Sequence, residues 1–329
     1  MARKLIVKEN DNDGRFDFIK NHLKTSWDII SVDSNNRHNF SQELLSAEAV
    51  ISMSWNSDFP DAPNLKLLQL QGAGADNVEM LSVPDGAFVC NVYEHEVSMA
   101  EYIMAGMLQW TTNIFKHDHA LRKNDWYGSY LFGPPHDELH GKTLGILGFG
   151  RIGKETAHRA KSFGMKIIAC SRNTEKKDKS LDALMPMAKK NELLKKSDFL
   201  LISLPLNKST ENIIDKNEFN IMKSSSVIIN VSRGRLINEK AMFEACSKKE
   251  IGGAIIDTWY NYPTSKQQII SPSKFKFYQL DNVIMTPHSS AWTLDLIQRR
   301  CKEIARNLDS IYRGEKPFNI LREPLNPRG

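Results

Sequence analysis

The six residues Gly148-Phe149-Gly150-Arg151-Ile152-Gly153 hold the most recognisable chemistry in the chain. They follow an apolar run at 144–147 and open a stretch with helical periodicity. In a strand–turn–helix setting, three glycines at this spacing form a dinucleotide-binding turn. Gly148 permits the tight turn, Gly150 lets the main chain approach a pyrophosphate, and Gly153 lets the helix pack close to the strand. Arg151 and Ile152 begin the helix, whose N-terminus offers N–H groups and the positive end of its dipole to phosphates. The next apolar run ends Ala169-Cys170-Ser171-Arg172. An acidic residue at such a strand end accepts hydrogen bonds from the adenosine ribose. Ser171 and Arg172 suit a 2′-phosphate instead, because a carboxylate would repel it and a guanidinium pairs with it. Asn173, Thr174 and Lys176 extend the polar, basic character. The expected cofactor is NADP, with NAD possible.

These residues need a scaffold of alternating strands and helices. Apolar runs at 5–7, 29–32, 49–52 and 67–70 read as strands, with helical patterns at 16–23 and 40–45 between them. A long apolar-rich helix is expected over 98–113. A second alternation supplies six strands, at 144–147, 166–170, 199–203, 227–230, 253–256 and 283–285. A last amphipathic segment runs from Trp292 to Tyr312. Such alternation implies parallel sheets covered by helices.

A length of 329 residues is long for one core and suggests two domains. Lys and Arg exceed Asp and Glu by 44 − 39 = 5, but the charges are dispersed, which argues against nucleic acid. No apolar run reaches the length of a membrane span. The N-terminus lacks the apolar core of a signal peptide. The four cysteines have no metal or redox spacing, and Cys170 and Cys246 lie in apolar patterns. The pair His117 and His119 points to different helix faces, so no metal is expected. A reducing cytoplasm is the expected location.

Three further landmarks follow the glycine turn. They are Ser203-Leu204-Pro205-Leu206 with Thr210, Asn230-Val231-Ser232-Arg233-Gly234-Arg235, and Thr286-Pro287-His288. Ala254-Ile255-Ile256-Asp257 precedes the last. From about residue 72 to 293 the sequence resembles the D-isomer-specific 2-hydroxyacid dehydrogenase family. The resemblance implies a substrate-binding Arg233, whose fork of donors suits a carboxylate and a neighbouring carbonyl oxygen. It implies His288 as general acid and base, since imidazole changes protonation near neutral pH. It places Pro205, Thr210, Val231 and Asp257 at the cofactor, Asp257 against the nicotinamide carboxamide. It also assigns Gly72, Ala73, Gly74 and Ala75 to a loop whose N–H groups hold the substrate carboxylate.

One residue breaks the pattern. The family's histidine pairs with a Glu five residues after the strand-ending Asp, and here that position holds Tyr262. Three readings stand. The Tyr262 hydroxyl orients His288; or a carboxylate enters from Glu94-His95-Glu96; or catalysis is lost and the chain is a cofactor-binding regulator, corepressor-like. Trp55, His95 and Trp292 are expected at the substrate, where aromatic walls would accept a side chain larger than methyl.

The expected fold is α/β, with two Rossmann-like or flavodoxin-like domains and an interdomain cleft. Residues 1–98 plus 292–329 form the substrate domain and 99–291 the dinucleotide domain. The expected activity is reduction of a 2-keto acid to a D-2-hydroxy acid, glyoxylate or hydroxypyruvate reductase-like. The family resemblance implies a homodimer, with residues 99–114 supplying apolar surface.

Overall fold

The computed structural model describes residues 3–8, 14–32, 37–175, 178–265 and 267–325. Lys176 therefore lies outside the described residues. The chain divides into two compact units, Met1–Glu94 with Thr293–Gly329, and His95–Trp292.

In chain order the first unit begins β1 (Arg3–Val7), α1 (Arg15–His22), β2 (Trp27–Ser31), α2 (Arg37–Leu44), β3 (Ala49–Ile51), β4 (Leu67–Gln69) and β5 (Phe88–Cys90). The second unit follows with α3 (Glu96–Thr112), α4 (Ile114–Leu121), β6 (Thr143–Leu147), α5 (Arg151–Ser162), β7 (Lys166–Ser171), β8 (Ala183–Pro186) and α6 (Lys190–Lys196). It continues with β9 (Phe199–Ile202), α7 (Lys216–Phe219), β10 (Val227–Asn230), α8 (Glu239–Ser247), β11 (Gly253–Ile256) and β12 (Val283–Met285). The chain then returns to the first unit with α9 (Leu294–Arg313) and β13 (Ile320–Arg322).

The first unit holds a six-stranded sheet in the order β13-β5-β4-β3-β1-β2. Five strands are parallel, and β13 closes one edge antiparallel to β5. α9 covers one face of this sheet with Ile297, Cys301, Ile304, Ala305, Leu308 and Ile311, all buried. Their spacing of three or four residues makes one apolar stripe. Thr293 caps the helix by accepting from the Leu296 N–H at 3.2 Å, and Gly314 ends it at φ 76°.

The second unit holds a parallel seven-stranded sheet, β12-β11-β10-β9-β6-β7-β8. The strand order reverses between β6 and β9, which is where such sheets bind ligands at their carboxyl ends. β8 is a seventh strand beyond the six expected. It is only Ala183–Pro186 and lies at the edge, where Pro186 is tolerated because no further strand needs its missing N–H.

α3 starts at Glu96, two residues earlier than expected, and ends at Asn113 in the left-handed region at φ 54°. Its apolar face is used within the unit: Met99, Ile103, Met104 and Met107 are buried against the sheet. The exposed apolar side chains come later, among them Ile114, Phe115, Trp126, Leu131 and Phe132. The four cysteines are buried and free, and burial pushes the Cys170 thiol up to about 11 and that of Cys246 up to about 12. Thiols in that range carry almost no thiolate at neutral pH. Among the described residues no helix is long and apolar enough to cross a membrane.

Candidate active site

The glycine turn joins β6 to α5. Gly148 adopts φ 103°, a conformation L side chains rarely take. A Cβ there would meet the Ser203 carbonyl at 2.5 Å, and one on Gly153 would meet the Gly148 carbonyl at 2.7 Å. Ser203 fastens the turn from β9 by donating to the Gly148 carbonyl at 2.6 Å. Gly150 differs from both. A Cβ there would have nothing within 4 Å, so its missing side chain is not explained by packing. It sits at the N-cap of α5 with no side-chain cap, and the first turn carries no acidic residue. An open approach, an uncapped helix N-terminus and no local negative charge fit a pyrophosphate. Arg151 is exposed and 3.5 Å from Glu96. Ile152 packs on the core, Val231 is buried, and Pro205 is exposed. Thr210 is buried and has a structural task in its own loop. Its hydroxyl donates to the Pro205 carbonyl at 2.7 Å and accepts from the Asn207 N–H at 2.9 Å, which staples the loop after β9. Ser171 ends β7 and is buried, while Arg172 beside it is exposed and pairs with no described residue.

The second group of residues gathers beyond β10, β11 and β12. Arg233 follows β10, held from both sides by Asn230. The Asn230 side chain donates to the Arg233 carbonyl at 2.9 Å and accepts from the Ser232 N–H at 3.1 Å. Gly234 is needed because a Cβ would strike the main chain of Trp259. Tyr260 ties the same two loops by donating to the Ile237 carbonyl at 3.0 Å.

Asp257 ends β11 and is fully buried. Its Oδ1 accepts from the Thr286 hydroxyl at 2.6 Å and the Ser289 N–H at 2.9 Å, and its Oδ2 from the Ser290 N–H at 2.9 Å. A buried carboxylate needs such donors. The three donors bracket His288, which sits at φ 59°. A non-glycine residue there costs about 1–3 kcal/mol unless its surroundings impose it. Sequence reasoning gave Asp257 a cofactor contact and missed this clamp. It also missed Tyr102 on α3, whose hydroxyl lies 2.5 Å from Thr286 Oγ1. Burial pushes the Tyr102 hydroxyl up to about 12. No periodicity or spacing in the sequence points to that contact.

Position 262 holds Tyr, and the setting of His288 follows from its neighbours. Desolvation of the crowded part of its ring holds its pKa below the usual imidazole value; Arg233 adds to that and Asp257 opposes it. His288 is nonetheless an exposed residue. Tyr262 does meet His288, at 5.5 Å between ring centroids, but not through its hydroxyl. That oxygen accepts from the Trp259 N–H at 3.0 Å. The reading in which the Tyr262 hydroxyl orients His288 is therefore corrected to a ring contact. The alternative carboxylates also have other neighbours. Glu94 is 3.7 Å from Arg299, and Glu96 faces Arg151 and, at 3.9 Å, His95.

Trp55 is another correction. It is 1% exposed, packs on Phe59 and donates to the Ser82 carbonyl at 3.1 Å, so it is a core residue of the first unit. Trp292 is exposed. Beside the His288 loop, Trp259, Tyr262, Pro263, Ile270, Met285 and Pro287 line a cavity of about 530 Å³. In the first unit the loop after β4 carries Gly72, Ala73, Gly74 and Ala75. The N–H groups of Ala73, Gly74 and Ala75 donate to no described residue.

Residues 104–290 match the family model of the D-isomer specific 2-hydroxyacid dehydrogenase NAD binding domain. The chain belongs to this family. It is an NAD(P)-dependent dehydrogenase of that class. It is 32% identical to a D-3-phosphoglycerate dehydrogenase of Methanocaldococcus jannaschii over 81% of this chain, spanning 49% of that protein's length. It is 31% identical to a glyoxylate reductase of Pyrococcus furiosus, over 81% of this chain and 79% of that one. In fold it is similar to a family protein of Aeromonas salmonicida, with a TM-score of 0.80 at 23% identity over 98% and 99% of the two chains.

The space beside Gly150 yields a prediction. Gly150→Ala should leave the melting temperature unchanged, since its Cβ meets no protein atom. Dinucleotide affinity, read by fluorescence titration, should fall at least about tenfold because the phosphates then lose their closest approach. Equal affinity for both proteins would show that no phosphate lies against Gly150.

Proposed function

We propose that this chain reduces a small 2-keto acid to a D-2-hydroxy acid with NADPH preferred over NADH, glyoxylate or hydroxypyruvate being the substrate class. The observation that carries the reading is the gathering of Arg233, His288 and the clamped Asp257 beyond neighbouring parallel strands of the sheet that bears the glycine turn. Gly148, Gly150 and Gly153 would hold a nicotinamide dinucleotide, which when bound would supply hydride chemistry to the carbonyl carbon. Arg233 pairs with the substrate carboxylate and polarises the carbonyl. His288 donates the proton that the developing alkoxide takes up. The loop Gly72, Ala73, Gly74 and Ala75 of the first unit is proposed, by itself, to offer N–H groups to a carboxylate. His95 and Trp292 are proposed to contact the substrate, and Tyr262 to set the ring plane of His288 as a neighbour. Gly148, Gly150, Arg151, Ile152, Gly153, Pro205, Val231 and Arg172 are proposed to meet the cofactor. Ser171 and Arg172 support the NADP preference, since no carboxylate ends β7.

The alternative, a catalytically silent regulator, would bind dinucleotide without turnover. We propose the cytoplasm as the location. We also propose a homodimer through the segment 114–132, where Phe115 is 72% and Phe132 84% exposed. Sedimentation should give twice the chain mass of 37.5 kDa, and Phe132→Asp should shift the species toward one chain. A wild-type protein sedimenting as one chain would defeat this.

NADPH and NADH oxidation against a panel of 2-keto acids tests the function. Turnover should favour NADPH, and Arg172→Ala should lower the NADPH-to-NADH ratio of kcat/KM by about tenfold, the loss of one charge-assisted phosphate contact. Absence of turnover with every acid would favour the regulator, and NADH preference in the wild type would defeat the Arg172 argument.

The His288 environment gives a pH prediction. Reduction needs the protonated imidazole, which is depleted as pH rises through its pKa. A lowered folded-state pKa puts the basic limb of kcat/KM below the ordinary imidazole value of about 6.5. Tyr262→Glu adds a carboxylate that stabilises imidazolium, so the limb should move to higher pH. A limb that stays or moves down contradicts this account.

A further inference from the structure

The imidazole of His288 forms no hydrogen bond with any described residue, and its ring neighbour Tyr262 uses its hydroxyl elsewhere. A proton donor still has to be aimed. What is held in this chain is the main chain on either side of it. Thr286 lies two residues before His288, Ser289 and Ser290 directly after, and all three donate to Asp257.

The protons in this network can be assigned. An ionised carboxylate only accepts, so the Thr286 hydroxyl gives its proton to Asp257 Oδ1. Thr286 Oγ1 then has only lone pairs for Tyr102, whose hydroxyl must be the donor in the contact between them. The direction runs from Tyr102 on α3, through Thr286 after β12, to Asp257 after β11. Three separate elements therefore meet at the threonine before His288. α3 is anchored in the core by Met99, Ile103 and Met107, so it is a firm support for that donor.

We propose that Tyr102 is a positioning residue for His288, acting through Thr286 and Asp257 in place of the imidazole–carboxylate pair this sequence lacks. The proposal rests on the reading of His288 as proton donor. The charged and titratable groups facing His288 within its unit are Arg233, Asp257 and Tyr262, and the hydrogen bond that Tyr102 makes is to Thr286. Its influence is on where the ring stands rather than on its charge.

Tyr102→Phe removes one hydroxyl and keeps the ring in its packing. With NADPH and glyoxylate as the probe pair, kcat should fall about tenfold through misplacement of the acid, with the KM for glyoxylate and the melting temperature held. Thr286→Ser keeps the hydroxyl and should retain kcat, whereas Thr286→Val should lose as much as Tyr102→Phe. The double variant Tyr102→Phe with Thr286→Val should lose no more than the worse single one, as members of one network do. A second readout uses cofactor-free protein labelled with ¹⁵N-histidine, the His288 signal assigned by its loss in His288→Gln. That signal should be single and sharp in the wild type and broadened or split in Tyr102→Phe. Should the wild type reduce no keto acid, the functional reading fails, and the spectrum alone decides the positioning role. An unchanged His288 signal in Tyr102→Phe overturns the proposal. So does additivity in the double variant, or a fall in melting temperature that accompanies the loss of kcat.

Discussion

The Asp257 carboxylate is the interaction on which the catalytic half of the molecule depends. It is a carboxylate directly after β11 with no exposure to water. Such a charge is tolerable only when donors surround it, and here they come from Thr286, Ser289 and Ser290. Satisfying one buried group thus dictates the path of the loop after β12 and imposes the left-handed backbone of His288. Arg233 is fixed by parallel means one strand away, through Asn230 and the close approach of Gly234 to Trp259. Tyr260, in the loop after β11, ties that loop to the one after β10 by donating to the Ile237 carbonyl, so the Asp257 and Arg233 loops belong to one connected set of bonds.

The cofactor turn obeys a different constraint, that of space. Gly148 and Gly153 are glycines because protein atoms leave no room for a Cβ, whereas Gly150 is a glycine where room exists. That contrast separates glycines that build the turn from the one that leaves an approach open. The reversal of strand order between β6 and β9 puts this turn at the sheet's carboxyl edge, where the loops after β10, β11 and β12 also emerge. In a parallel sheet every strand end of one polarity lies on one side, so residues far apart in sequence collect there.

The readings from sequence that hold are the local ones. The glycine turn, the alternation behind both sheets and the family itself were legible because each rests on spacing within a few residues or on motifs in a known order. The readings that changed concern what a side chain touches. Trp55 reads as a cleft aromatic because it follows a strand end, yet it is a core residue bonded to Ser82. Tyr262 reads as orienting His288 through its hydroxyl, yet that oxygen accepts from the Trp259 N–H and only the rings meet. β8 and β13 escaped notice because short edge strands carry little periodicity.

By itself the sequence determined the fold class, the family, the glycine turn between β6 and α5, and the presence of Tyr rather than Glu at position 262. These follow from residue identity and order, which no folding step alters. Only the tertiary structure decided how His288 is held without that Glu. The answer involves Tyr102, Asp257 and Thr286, which are up to 184 positions apart. Hydrogen-bond partners at such separation are set by which helix packs on which sheet, and a buried carboxylate takes whatever donors that packing brings to it.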